Sequence, residues 1–296
     1  MTAALALALV SLVVPHPRPQ PLTHAIRIRY RAHNGVMRPA WLLLPAGYDG
    51  SPIPLVISPH GRGVGPVANA NLWGDLPGEG DFAVINPAGE GRRTRFYSWG
   101  DPGEIDDLAR MPRIAEAHGV HVSKVYAVGG SMGGMETLLL VARFPHLLAG
   151  AVAFDPATDM ALRYRDFASL RGGRALQRLA RREVGGTPAT DPRAYAVRSP
   201  DDYVRRIAFS GVPLQLFWSS RDRIIADQVH ETEALADEIL AVNPHAKVAV
   251  FHGDWLHTAE MRPLRRLPRA LERFGLLPKW AVPPLNPVTP APSPVI

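Results

Sequence analysis

The chain has 296 residues, 46% of them hydrophobic and 20% charged. That is enough apolar side chain for one large domain with a continuous core, and the composition excludes wholesale disorder. There is no cysteine, so disulfides, thiolate catalysis and Cys-ligated zinc are excluded. The formal charge of +6 would permit acidic partners, yet lysine occurs only at Lys124, Lys247 and Lys279 among 33 basic residues. No aromatic-interleaved basic motif or zinc-finger spacing accompanies the arginines, so they read as compositional bias and no nucleic-acid partner is expected.

Residues 3–14 (AALALALVSLVV) form a short apolar stretch before the Pro-rich PHPRPQP. The length suits the apolar region of a secretory signal, although no basic residue precedes it and no small-x-small cleavage site follows. Residues 1–21 are read as a truncated leader, with secretion as the expectation; the alternative is an N-terminal extension on a cytoplasmic protein. No apolar run is long enough to span a bilayer as a helix. From residue 22 onward strands and helices alternate. Residues 24–30 and 38–45 are β-rich and flank a turn at His33-Asn34-Gly35. Residues 54–61 (PLVISPHG) and 81–89 (DFAVINPAG) read as buried strands, apolar at almost every position.

Residues 104–118 carry Ile105, Leu108, Met111, Ile114 and Ala115 at helical spacing, with Pro112 as a kink or break. Further strands are expected at 123–130, 149–156, 212–220 and 246–253, with helices at 132–144, ended by Pro145, and at 226–242. This is an α/β pattern, a mostly parallel sheet flanked by helices. One stretch, 158–210, is too long for a loop and reads as a helical cap insertion within a catalytic domain spanning 22–277. Its Arg163, Arg165, Arg171, Arg174, Arg178, Arg181 and Arg182 read first as a solvated helix face, with steering of anionic substrates as the alternative. Residues 278–296, rich in proline, are expected to form an extended or disordered tail.

Gly129-Gly130-Ser131-Met132-Gly133 matches G-x-S-x-G, between the apolar strand KVYAV and the apolar-periodic helix METLLLVARF. A strand–turn–helix context is what this motif needs to expose a serine hydroxyl, so Ser131 is the candidate nucleophile. Its place at a helix N-terminus favours a developing anion. The alternative is a Gly-rich turn without chemistry. A serine hydroxyl needs an adjacent base. His257, in the loop after the last predicted strand, is the candidate, and His252 at the strand terminus reads as structural. Asp222, after 212–220, is the candidate acid to orient the imidazole, with Asp155 as competitor. Backbone N–H groups of Met132 and of Arg62, in His60-Gly61-Arg62-Gly63, are the expected oxyanion donors. Trp73, Phe96, Tyr97 and Trp99 could line a substrate pocket or equally pack in the core. His118 and His121 lack an acidic ligand pattern and read as surface residues; no metal site is expected.

The ordered set PLVISPHGRG, VYAVGGSMGG, SSRDRII and GDWLHT resembles the α/β-hydrolase superfamily across 22–277. Within it, IDDLARMPRIAEAHGVHVSKVYAVGGSMGG is similar to the extracellular esterase and prolyl-oligopeptidase-like groups, as is GGTP followed by RSPDDYVRRI. The resemblance implies an α/β-hydrolase fold and a triad of Ser131, Asp222 and His257, with ester or amide hydrolysis and no cofactor. No long segment that could form a propeller precedes residue 22, which makes a carboxylesterase the leading expectation. The substrate would be a small-molecule ester or a short peptide. A short-peptide peptidase, an acyltransferase and a non-catalytic scaffold on the same fold are the alternatives, and no feature of the sequence sets an oligomeric state.

Overall fold

The computed structural model describes residues 21–89, 97–225 and 227–284. Residues 1–20 of the expected leader, Phe96 and residues 285–296 of the expected tail lie outside them. Within the described residues, the strands are β1 (Thr23–Arg31), β2 (Met37–Pro45), β3 (Ile53–Ile57), β4 (Ala83–Pro87), β5 (Val122–Gly130), β6 (Gly150–Phe154), β7 (Leu214–Ser219) and β8 (Val248–Gly253). They form one eight-stranded sheet in the order β1-β2-β4-β3-β5-β6-β7-β8. β2 runs antiparallel to β1 and β4, and every other neighbouring pair is parallel.

The helices in chain order are α1 (Pro66–Asn71), α2 (Leu76–Gly80), α3 (Pro102–Glu116), α4 (Met132–Arg143), α5 (Met160–Asp166), α6 (Gly173–Val184), α7 (Pro192–Ala196), α8 (Val204–Ala208), α9 (Ala234–Val242) and α10 (Leu267–Arg273). α5 to α8 occupy the long excursion between β6 and β7. Short 3₁₀ turns join them, and another spans Lys279–Ala281.

The two-residue period of a strand explains why the central strands read as unbroken apolar runs. Leu55, Ile57, Ala127, Ala151 and Ala153 point into a core shared with α3, α4 and α9. Val56, Val84, Val128, Val152 and Phe154 point into a second core under α1, α2 and α10. β1, at the edge, alternates instead: Ile28 and Tyr30 are buried while Arg27 and Arg29 are exposed. The three alanines on β5 and β6 leave room for α4, which is buried from Met132 to Ala142. Burying Leu138, Leu139 and Leu140 there contributes about 1.5–3 kcal/mol each.

Several elements differ from the sequence expectation: α1, α2 and α10 are absent from it, the 3₁₀ turn at Lys279–Ala281 falls in the expected extended tail, and two expected helices have other starts. α3 starts earlier than residue 104 because the Asp101 carboxylate accepts from Gly103 N–H at 2.9 Å and Pro102 occupies the first turn. It runs through Pro112 without ending. The expected helix at 226–242 begins as a π-helical turn, Val229–Glu233, before α9. That wider turn carries Glu231 against the start of the β6–β7 excursion, where its Oε2 accepts from Thr158 N–H at 2.5 Å and Asp159 N–H at 3.1 Å.

The packing leaves several carboxyl groups deep in the protein, and three of them are shifted strongly upward. Burial pushes Glu136 up to about 8, Asp155 to about 7 and Glu231 to about 7. Each is therefore protonated in the folded chain over a range where the unfolded chain has released its proton. Stability from these groups is fully present below the ordinary carboxylate range and is lost progressively as pH rises from there through the folded values of 7 to 8, at up to roughly 1.4 kcal/mol per pH unit per group between the two values. Thermal unfolding followed at pH 5.5 and pH 8.5 is expected to show a melting temperature lower by on the order of 10 °C at the higher pH. A melting temperature that holds or rises over that interval would contradict this assignment.

Candidate active site

Strand order reverses between β3 and β5, so the loops leaving their C-terminal ends diverge and open a crevice. Ser131 stands in it, between the end of β5 and the start of α4, with φ +58° and ψ −125°. That conformation costs an L-residue about 1–3 kcal/mol, and the surroundings hold it. Ser131 N–H donates to Phe154 O at 2.9 Å and its carbonyl accepts from Met135 N–H at 3.0 Å. The flanking glycines are required sterically. A Cβ on Gly129 would lie 2.2 Å from Gly133 O, and one on Gly133 would lie 2.3 Å from Pro59 O. The turn closes only because strand, helix and the loop after β3 touch backbone to backbone.

Asp222 follows β7 and His257 follows β8. His257 Nδ1 lies 2.6 Å from Asp222 Oδ2. Asp222 is held from its other side by the N–H groups of Ile224 (2.8 Å) and Ile225 (3.0 Å) on Oδ1, and by Gln228 Nε2 (3.2 Å) on Oδ2. Burial pushes its carboxyl up. The hydrogen bond and charge of His257, with the two backbone donors, outweigh that and hold it below the usual carboxylate value. Ser219 ties the two loops together, its Oγ donating to Trp255 O at 2.6 Å and accepting from Trp255 N–H at 2.7 Å. The second imidazole nitrogen, His257 Nε2, is buried without a hydrogen-bond partner.

Asp155, the competing acid, ends β6 with φ +44° and is fully buried. It does not bond the histidine. Its carboxylate accepts from Thr258 N–H at 2.7 Å and from the Trp255 indole at 3.1 and 3.2 Å. It thereby grips the residues on both sides of His257. Asp155, Asp222 and His257 have ligand-type atoms within 4.8 Å of one another, and the hydrogen bonds just given account for the cluster without a metal.

Ser131 and His257 line one cavity of about 230 Å³, together with Gly61, Arg62, Asn69 and Met261. The loop after β3 that forms its wall is fixed by His60 and Asn69. His60 donates from Nδ1 to Gly61 O (2.9 Å) and accepts Gly89 N–H at Nε2 (2.7 Å), and burial lowers its pKa to about 4, so it stays neutral. Asn69 donates to Ser58 O and Asn86 Oδ1, both at 2.9 Å. Neither Arg62 N–H nor Met132 N–H donates to a backbone carbonyl among the described residues.

The aromatic expectations divide. Trp73 is a correction: it is fully buried in the core under α1 and α2, packs edge-on against Phe82, and donates its indole N–H to Ser58 Oγ at 3.1 Å. Its size and polar edge are both used inside the protein, so it lines no cavity near Ser131. Trp99 lies in the lining of a second, smaller cavity that also reaches Ser131. Tyr97 stands behind Trp99, ring centroids 5.7 Å apart, outside that lining. His252 stacks on Trp218 at 3.9 Å. Of the seven arginines of 158–210 singled out from the sequence, six are exposed as a solvated face requires, but Arg163 is 5% exposed and enters the smaller cavity. Helical periodicity could not separate Arg163 from its neighbours, since α5 turns only that residue and Tyr164 inward among its polar positions.

The sequence model of the prolyl oligopeptidase family matches residues 82–253, more than half of the chain, and takes in Ser131 and Asp222. The uncharacterized peptidase YtmA of Bacillus subtilis is 28% identical over 158 residues, 52% of this chain and 51% of that protein. The chain thus spans about half the length of the curated relative it matches. Among solved structures, an esterase of Pyrococcus furiosus superimposes with a TM-score of 0.58 at 18% identity, covering 89% of this chain and 93% of its own. The acylaminoacyl peptidase of Pyrococcus horikoshii gives 0.60 at 15% identity, covering 87% of this chain and 42% of its own. The bacterial brefeldin A esterase gives 0.60 at 18% identity, covering 90% and 78%.

Proposed function

The chain belongs to the prolyl oligopeptidase family and has the α/β-hydrolase fold, and from that premise we propose that it is a serine hydrolase that cleaves carboxylic esters through Ser131, His257 and Asp222. One observation carries the reading. His257 is anchored through Nδ1 to Asp222 at 2.6 Å while its Nε2, buried and without a partner, shares a cavity with a serine held at φ +58°.

With Nδ1–H donating its hydrogen bond to the Asp222 carboxylate, the Nε2 lone pair is the one available to take the Ser131 proton. Ser131 Oγ then attacks the ester carbonyl, and the charge that develops on its oxygen falls to the N–H groups of Met132 and Arg62. His257, now cationic and stabilised by Asp222, passes the proton to the departing alkoxide. Water activated by the same nitrogen releases the acid from the acyl-enzyme and regenerates Ser131. A cavity of about 230 Å³ suits a small ester group. Peptide cleavage is the second reading, and the family match together with the YtmA similarity favours it.

The two readings separate on p-nitrophenyl esters of short acids against aminoacyl-p-nitroanilides. Ester kcat/KM is expected to exceed that of the anilides by about 100-fold or more, roughly 2.7 kcal/mol of differential transition-state binding. Comparable rates on anilides would establish the peptidase instead. No turnover of either, with no labelling of Ser131 by a fluorophosphonate, would sink both.

A further inference from the structure

Two cavities meet at Ser131, and they differ in one respect that assigns them. The larger includes His257; the smaller, about 30 Å³, does not. In the proposed reaction His257 hands its proton to the leaving group, so the leaving group occupies the larger cavity and the acyl group the smaller one. The smaller cavity is lined by Met132, Met135, Met160 and Trp99, and by Arg163. Its volume accommodates about two water-sized groups, the scale of a carboxylate and not of a long chain.

Arg163 is out of place in such a setting unless something anionic joins it. It is 5% exposed, and its Nη1 is buried without a hydrogen-bond partner. Its guanidinium lies 4.8 Å from the centroid of the Phe167 ring, and that of Arg62 lies 5.9 Å from the same centroid. Two cations thus share one aromatic ring beside the nucleophile. Glu231, Asp166 and Asp222 offset the charge of Arg163 at longer range, yet none of them bonds it: Glu231 Oε2 accepts from Thr158 and Asp159, and Glu231 Oε1 and Asp166 Oδ2 are, like Arg163 Nη1, buried without a hydrogen-bond partner. The protein treats another buried arginine differently: Arg198 is paired with Asp101 at 2.5 Å. A buried guanidinium with an unused donor is costly, and at this place a ligand can supply the missing acceptor.

We propose that Arg163, assisted by Arg62, binds a carboxylate carried on the acyl half of the substrate, so that the preferred substrates are monoesters of short dicarboxylic acids or acyl groups of the same shape. This rests on the esterase reading above, because the assignment of the smaller cavity to the acyl group follows from the role of His257.

The test compares monomethyl glutarate with methyl pentanoate, which share chain length and leaving group and differ by the carboxylate. The native enzyme is expected to prefer the anionic ester by about 10-fold or more in kcat/KM. Arg163→Met should lower that preference by about 10- to 100-fold, as expected for a lost charge-assisted hydrogen bond, and Arg163→Lys should restore part of it. A native preference at or below one would overturn the proposal, as would a preference that Arg163→Met leaves intact. Should Arg163→Met not fold, the native ratio and the Lys variant still decide. Failure of the esterase reading looks different: methyl pentanoate is not turned over and Ser131 is not labelled. Calorimetric titration of glutarate into native protein and Arg163→Lys would then decide the carboxylate site by itself, with no binding to the native protein counting against it.

Discussion

Replacing Ser131 by alanine is expected to lower kcat for ester hydrolysis by about 10⁴- to 10⁶-fold and to abolish fluorophosphonate labelling. The substitution removes only Oγ. Alanine has the same Cβ as serine, so the positive φ at this position carries the same backbone cost in both, and the hydrogen bonds that hold the turn are made by the Ser131 N–H and carbonyl. The melting temperature should therefore stay within about 2 °C of the native value, since a surface-type change free of core, cap or charge consequences is worth at most about 0.5 kcal/mol. Thr258 is the other hydroxyl in the lining of the larger cavity. If Ser131→Ala kept its activity and the probe appeared on Thr258, the nucleophile would have been misassigned.

The second large effect is expected at Asp222. Asp222→Asn should lower kcat by about 10³- to 10⁴-fold while leaving KM for a neutral ester within a few fold. The reason lies in which oxygen is replaced. Oδ1 accepts from Ile224 and Ile225 N–H groups, so an asparagine will keep its carbonyl oxygen there and turn its amide NH₂ toward His257. Imidazole Nδ1 must then accept a hydrogen bond, which moves its proton to Nε2 and removes the lone pair that the reaction needs. Asp155 cannot take over, because its oxygens are engaged by Thr258 N–H and the Trp255 indole. A fall of less than tenfold would show that Asp222 does not set the histidine tautomer.

Both expectations depend on residues that the linear chain identifies by position. The G-x-S-x-G segment is informative because the signals around it are local: an apolar run before Ser131 and a periodic helix after it are properties of neighbouring residues. Asp222 and His257 could be nominated on the same ground, since each follows an apolar run that reads as a parallel strand, and loops at strand C-termini collect at one edge of such a sheet.

The choice between Asp222 and Asp155 was a different matter. Both end strands, and only the packing shows that one carboxylate meets His257 Nδ1 while the other holds Trp255 and Thr258 on either side of it. The π-helical turn at Val229–Glu233 also escapes the pattern, because its residues satisfy an ordinary helix spacing and the widening is visible only in the backbone hydrogen bonds.

What the sequence by itself determined, then, is the order of the strands and of the longer helices between them, the α/β architecture and the turn that carries Ser131, because these follow from periodicity and from glycine stereochemistry over a few residues; the short helices α1, α2 and α10 carry too few turns to show a period. What only the tertiary structure decided is which side chains face the crevice. Trp73 is a candidate lining residue by sequence and is core; Arg163 is one of seven arginines on an expected solvated face and is buried, lining a cavity with Ser131. The side-chain identity is the same in either place. Its surroundings are set by residues far along the chain, Ser58 and Phe82 around Trp73 and Ser131 and Arg62 near Arg163, and burial is a property of that assembled neighbourhood.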